Sequence, residues 1–99
     1  MKEKYEFLYS KTMYERVKWT GDNSALVNVH GLSVSMALQF IRNLLCLSMN
    51  EPFILEVIHG YNHGTAIKEA IRKESLSRMP YQLVSVPDNP GMTKIVINE

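Results

Sequence analysis

The chain is short of several things, and each shortage excludes a class of protein. It holds one cysteine, Cys46, in 99 residues, so no intramolecular disulfide can staple it and a disulfide-framed secreted scaffold is excluded. That usage fits a reducing, cytoplasmic compartment. No run reaches the ~18 consecutive apolar residues of a spanning helix. The opening MKEKYEFLYSKTMYER breaks its aromatics with charges and builds no apolar signal core. No membrane partner is expected.

Charge of one sign is scarce as well. Eleven Lys and Arg stand against ten Asp and Glu, a formal +1, so the chain is no polybasic nucleic-acid binder and any anion site must be local. Histidine is rarer still, with three in all: His30, His59 and His63. What the chain does have is a 45% apolar fraction, the share of an ordinary globular protein, in a length that admits one modest core.

The three histidines fall in two related places. Phe53 to Ile58 is an apolar, β-branched run that stops at His59-Gly60 and leaves through Tyr61-Asn62-His63-Gly64. Earlier, Ala25-Leu26-Val27-Asn28-Val29 stops at His30-Gly31 and a helical pattern follows. Each reads as a strand that delivers a histidine to a sheet edge and then turns into a helix.

Between the two strands, Met36, Ala37, Phe40, Ile41, Leu44, Leu45 and Leu47 form a broad apolar stripe, the face of a helix packed on a sheet. Cys46 sits in this pattern and reads as a small core residue, and Ser33 or Ser35 suits the N-cap. About 15 helical residues span roughly 22 Å, close to the length of a seven-residue strand. One helix can therefore cross back over one strand, which makes strands 24–30 and 53–59 a parallel pair with both exits on one edge. His30 and His59 should be neighbours. A second helix is expected from about Thr65 to Ser77, carrying Lys68 and Arg72, with Pro80 blocking its continuation. Tyr81 to Val86 and Met92 to Ile97, joined by Pro87-Asp88-Asn89-Pro90-Gly91, suit an antiparallel hairpin.

Residues 1–23 read as an N-terminal extension with a short helix, on the stripe Tyr5, Leu8, Tyr9, Met13 and Val17, ending at the Gly21-Asp22-Asn23 turn. The domain proper is then 24–99. Trp19 and the methionines are assigned to packing.

The sequence Asn28-Val29-His30-Gly31-Leu32, an amphipathic helix, Val57-Ile58-His59-Gly60, a glycine loop into a helix with Lys68 and Arg72, and Asn89-Pro90-Gly91-Met92-Thr93 before a last strand resembles the small MutS-related (Smr) domain over about residues 25–98. The resemblance implies an α/β two-layer sandwich, β-α-β-α-β-β, like the C-terminal domain of translation initiation factor three. In it two helices lie on one face of a four-stranded mixed sheet. It also implies nucleic-acid binding, RNA ahead of DNA, with the ribosome as a candidate partner, and in some members endonuclease activity. Two positions depart from the family pattern. Asn28 stands where Leu-Asp-x-His-Gly has aspartate, and His59-Gly60-Tyr61-Asn62-His63-Gly64 replaces His-Gly-x-Gly.

Cleavage of RNA by transesterification needs a base at the 2′-hydroxyl, an acid at the leaving oxygen, and donors or cations for the phosphate. The candidate catalytic residues are His30, His59 and Asn28, the last as an uncharged acceptor beside a histidine, which suggests a weakened catalyst. Gly31, Gly60, Tyr61, Asn62, His63, Gly64, Lys68 and Arg72 are the candidate nucleic-acid contacts. The glycines would let backbone approach a phosphate, Tyr61 would either stack on a base or cover the sheet end, and the two cations would balance charge. His63 reads more often as a polar loop residue than as a contact. No spacing matches a metal-ligand pattern, so neither a metal nor a cofactor is expected. A non-catalytic module that binds nucleic acid, ribosome or protein at the same edge is the competing reading.

Overall fold

The computed structural model describes residues 15–46, 51–60 and 65–97. These form β1 (Val17–Gly21), β2 (Ser24–Asn28), α1 (Val34–Cys46), β3 (Phe53–Ile58), α2 (Thr65–Lys73), β4 (Tyr81–Ser85) and β5 (Met92–Ile97). The strands make one mixed sheet in the order β1-β2-β3-β5-β4.

The two expected sheet relations hold. β2 and β3 are parallel, with Ala25 beside Leu55 and Val27 beside Val57, as a helical crossover requires. β4 and β5 are antiparallel, from Tyr81 beside Ile97 to Ser85 beside Thr93. β5 inserts between its hairpin partner and β3, running antiparallel to β3 from Phe53 beside Ile97 to Ile58 beside Met92. The start of β5 therefore meets the end of β3.

The sheet has five strands, not four, and the extra one corrects the reading of residues 15–23. Val17 to Gly21 is an edge strand antiparallel to β2, not a helix. Val17 and Trp19 turn inward while Lys18 and Thr20 turn out, a period of two that pairing with β2 selects over the helical stripe. Gly21 to Ser24 closes the hairpin, Thr20 Oγ1 donating to Ser24 Oγ at 2.8 Å. The pairing shifts register between Trp19 and Gly21, which leaves Thr20 as a bulge. Trp19 packs edge-on against Phe53, ring centroids 6.4 Å apart. The proposed helix over Tyr5 to Met13 lies outside the described residues.

One face of the sheet is the core. Ala25, Val27, Phe53, Leu55, Val57, Ile95 and Ile97 alternate along their strands and are at most 1% exposed; they cluster with Ala37, Phe40, Ile41, Leu44 and Leu45 of α1 and Ile67 and Ile71 of α2. Both helices thus cover the same face. Ser33 caps α1, its Oγ accepting from Met36 N at 3.2 Å.

Three details of the helices differ from expectation. Cys46 is exposed, because at 100° per residue it falls opposite the centre of the stripe formed by Ala37, Ile41, Leu44 and Leu45. Met36 is 52% exposed, and Leu38 takes a core place instead. α2 stops at Lys73 rather than Ser77. Its trailing carbonyls find partners elsewhere, Glu74 O accepting from the Tyr81 hydroxyl at 3.3 Å and Ser75 O from Arg42 Nε at 3.0 Å, while Leu76 enters the core from the loop. Among the described residues no helix is long and apolar enough to cross a membrane.

Candidate functional site

The two His-Gly exits lie side by side but out of phase. β2 and β3 end in register at Asn28 and Ile58, and Val29 N donates to Ile58 O at 2.9 Å. Val29 is therefore the counterpart of His59, and His30 falls beside Gly60. Since strand side chains alternate, the one-residue offset sends the two imidazoles in opposite directions.

His59 takes the next core-facing place after Phe53, Leu55 and Val57, and is 0% exposed. Its Nδ1 lies 2.9 Å from Gly60 O and its Nε2 2.9 Å from Thr93 Oγ1. A carbonyl can only accept, so Nδ1 carries the proton and Nε2 accepts from the threonine hydroxyl; the tautomer follows from these partners. Burial lowers the pKa of His59 below 6.5. The Gly60 carbonyl opposes that shift, and the positive charges of Lys68 and Arg72 add to it. His59 is a neutral, fully bonded core histidine. That is not the geometry of an acid or base touching substrate.

His30 is exposed, and its ring lies over Gly60. A Cβ on Gly60 would overlap His30 Cδ2 and approach Nε2 to 3.2 Å, and Gly60 has φ +89° besides. On its other side Gly60 meets Gly91, where a Cβ would sit 3.2 Å from the Gly60 carbonyl carbon. Gly91 O accepts from both His59 N (2.9 Å) and Gly60 N (3.1 Å), while Asn89 Oδ1 holds Gly91 N at 3.1 Å. The Asn89-Pro90-Gly91 turn thus folds onto the same edge, and Gly60 is clamped between an imidazole and a second glycine. Gly31, with φ +86°, has open space where its Cβ would be.

Asn28 does something simpler than orient an imidazole. Its Oδ1 accepts from His30 N at 2.9 Å, an Asx turn that reverses the chain at the end of β2. An aspartate would supply the same oxygen, so the amide at this position changes charge and not turn geometry. Across the edge, Arg16 Nη1 donates to Asn28 O and His30 O, both at 3.1 Å, and Arg16 O accepts from Asn28 N at 2.8 Å. The residue just before β1 thereby straps the exit of β2 and brings a guanidinium to it.

Lys68 is half-buried and Arg72 exposed on α2, near enough for their charges to act on His59. The ends of β2 and β3 therefore hold Arg16 against the Asn28 and His30 carbonyls, while Lys68 and Arg72 act on the buried His59 from α2 on the helix side of the sheet. Tyr61, Asn62, His63 and Gly64 lie outside the described residues. Among the described residues no three of His, Cys, Asp and Glu come together as a metal site would require. Such an edge can bind an anion; among the described residues one imidazole is accessible and the other committed, so these two do not form the pair that acid-base cleavage needs.

No family model, curated protein or solved structure matches the chain. The functional argument therefore rests on the residues themselves.

Two residues of this edge carried no functional sign in the sequence reading. Arg16 falls in the stretch 1–23, which reads as a helical extension outside the domain. Thr93 lies in the Met92 to Ile97 strand, where it reads only as a strand residue. Its position was readable, since Thr93, Ile95 and Ile97 share one parity of β5 and so face the core with His59.

Proposed function

We propose that the edge bearing His30 binds nucleic acid, RNA ahead of DNA, as a non-catalytic Smr-like module. The observation that carries this reading is the exposed His30 ring over Gly60, beside the strand exit that the Arg16 guanidinium straps. Arg16, held by the Asn28 and His30 carbonyls, and Lys68 and Arg72 of α2, whose charges reach His59, give this end of a nearly neutral chain local positive charge, the form of anion site that the composition requires. Gly31 leaves room for a phosphate to approach backbone, and an imidazole ring can stack on an unpaired base. The burial of His59 weighs against two-histidine cleavage, and the departure at Asn28 weighs the same way.

The test is fluorescence anisotropy of labelled single-stranded RNA and DNA across a salt series, with product analysis on gels. Binding should weaken linearly in log-log form with salt, by a slope of roughly 0.7 per phosphate neutralised. The Lys68→Ala/Arg72→Ala variant should flatten that slope by one to two such increments, and His30→Ala should weaken RNA more than DNA. No binding of either strand at low salt sinks the proposal. Cleavage that His30→Ala abolishes would replace a binder with an enzyme.

A further inference from the structure

The face of the sheet opposite the helices carries a pattern that the edge does not use. Its residues on β2, β3, β5 and β4 include the apolar Leu26, Ile54, Ile58, Val84, Met92 and Val96 beside Ser24, Asn28, Glu56, Gln82 and Lys94, none of them buried, with Ile54 38% and Val84 41% exposed. Antiparallel sheets commonly keep one face polar; here, among the described residues, apolar side chains alternate with a charge pair on the face that the helices leave uncovered.

The register arranges these residues in cross-strand rows. Ser24, Ile54, Val96 and Gln82 form one row; Leu26, Glu56, Lys94 and Val84 form the next; Asn28, Ile58 and Met92 form the third. Consider a two-fold axis above the face, running along the strands midway between β3 and β5. It lays β3 over the second copy's β5, and β2 over its β4, at unchanged height along the strands. Ile54 then meets Val96, Ile58 meets Met92 and Leu26 meets Val84. Glu56 meets Lys94 twice, once in each direction. The same face turned about an axis across the strands would set Glu56 on Glu56 instead, so charge selects one of the two arrangements. Neither Glu56 nor Lys94 is in an ion pair among the described residues.

We infer that this face is a homodimer interface, in which two sheets stack about an axis along their strands. Aligned stacking of this kind is a standard way for two sheets to pack, ~10 Å apart with strands crossing at about 30°. Isologous contact is also what a C2 dimer demands, with each pair occurring twice. The four strands involved, at ~4.8 Å spacing and ~3.3 Å per residue, give a patch of roughly 300 Å² in projection. That is small beside the ~800 Å² per partner of a standard interface, so the dimer should be reversible and concentration-dependent. The inference rests on other observations than the nucleic-acid reading, although the third row of this face adjoins the His30 edge through Asn28.

The experiment is sedimentation equilibrium of the full chain over a wide range of loading, with circular dichroism to confirm folding. A monomer-dimer equilibrium is expected, lost in both Glu56→Lys and Lys94→Glu, and restored when the two variants are mixed, because each then faces its opposite charge. The Glu56→Lys/Lys94→Glu double variant should dimerise alone. Within one chain residues 56 and 94 are also cross-strand neighbours, so either single variant could unfold. Ile54→Gln/Val84→Gln, at positions already exposed, is the second probe and should be a folded monomer. Overturning results are a monomer at every loading, a dimer indifferent to all these changes, or single variants whose mixture does not associate. A monomer in which Lys94 resists chemical labelling at every loading would assign the face to the 14 residues before Glu15, and would overturn the proposal too.

Discussion

The two His-Gly exits share a sequence pattern and almost a backbone conformation, their glycines having φ +86° and +89°, yet one histidine is exposed and the other has no exposure at all. The difference is a single residue of phase. In the first exit Val29 occupies the core-facing place and the histidine comes after it; in the second the histidine occupies that place itself. A repeated motif does not imply a repeated role when its two copies sit at opposite parity on a sheet. One copy becomes a surface imidazole and the other becomes the support beneath it.

The sharpest test of that difference is to add one methyl group at each glycine in turn, beginning with the clamped one. Gly60→Ala adds a Cβ in a left-handed conformation and drives it into the His30 ring, with the backbone of Gly91 close on the other side. We expect a loss of about 3 kcal/mol or more, a fall in Tm of roughly 15 °C for a domain of this size. Urea denaturation would read it directly, and a loss below about 1 kcal/mol would mean that the ring swings away freely and that the clamp is not a constraint.

Acid should break the comparison from the other side. His59 is held neutral and its pKa lies below the ordinary 6.5, burial being the main cause. The unfolded chain therefore takes up its proton first as pH falls, and the stability from neutral His59 is complete above about 6.5 and drains away below it. The limit for one proton is about 1.4 kcal/mol per pH unit. Melting temperatures between pH 7.5 and 5 should show this loss in the wild type and in His30→Ala. His59→Gln should lack that part of the slope, and an unchanged slope in His59→Gln would remove His59 as its source.

Much of this was legible beforehand, and the rest has definite causes. The parallel pair, the crossover helix and the C-terminal hairpin follow from turn chemistry and apolar periodicity, which act over short stretches. The phase of the histidines was also on the page, because Glu56 breaks the run Phe53 to Ile58 and fixes Leu55, Val57 and His59 inward. The shared letters of the two exits conceal it, because a motif match carries residue identity and not parity on the sheet. β1 was misjudged for a different reason: Val17 completes a helical stripe, and only pairing with β2, a contact outside the segment, decides for the strand. The place of Thr93 beside His59 depends on β5 inserting next to β3, which no local pattern encodes.

Thr93 is the next largest lever. Thr93→Val keeps the shape of the side chain and removes the hydroxyl that serves His59 Nε2, leaving a buried acceptor without its donor. The expected loss is about 1–2 kcal/mol. The tautomer argument adds a condition: because Thr93 donates, Thr93→Val should raise the His59 pKa, the neutral form having lost a bond that favoured it. NMR titration of the imidazole that shows a fall instead would reverse the donor assignment.

The smallest expected effect carries as much meaning as the largest. Gly31→Ala shares the φ penalty of Gly60→Ala but meets nothing within 4 Å, so it should cost only about 1 kcal/mol. Removing the exposed ring in His30→Ala should change stability by no more than about 0.5 kcal/mol. Yet His30→Ala also takes away what a Cβ at Gly60 would strike, so the penalty of Gly60→Ala should fall when both changes are made together. A double-mutant cycle measures that coupling, which should be at least about 1 kcal/mol and favourable for residues in direct contact. The same cycle with Gly31→Ala in place of Gly60→Ala should give none. Coupling in the first cycle alone would show that the second exit forms the seat of the first histidine; equal coupling in both would mean that His30 answers to the backbone generally, and the asymmetry between the exits would lose its physical basis.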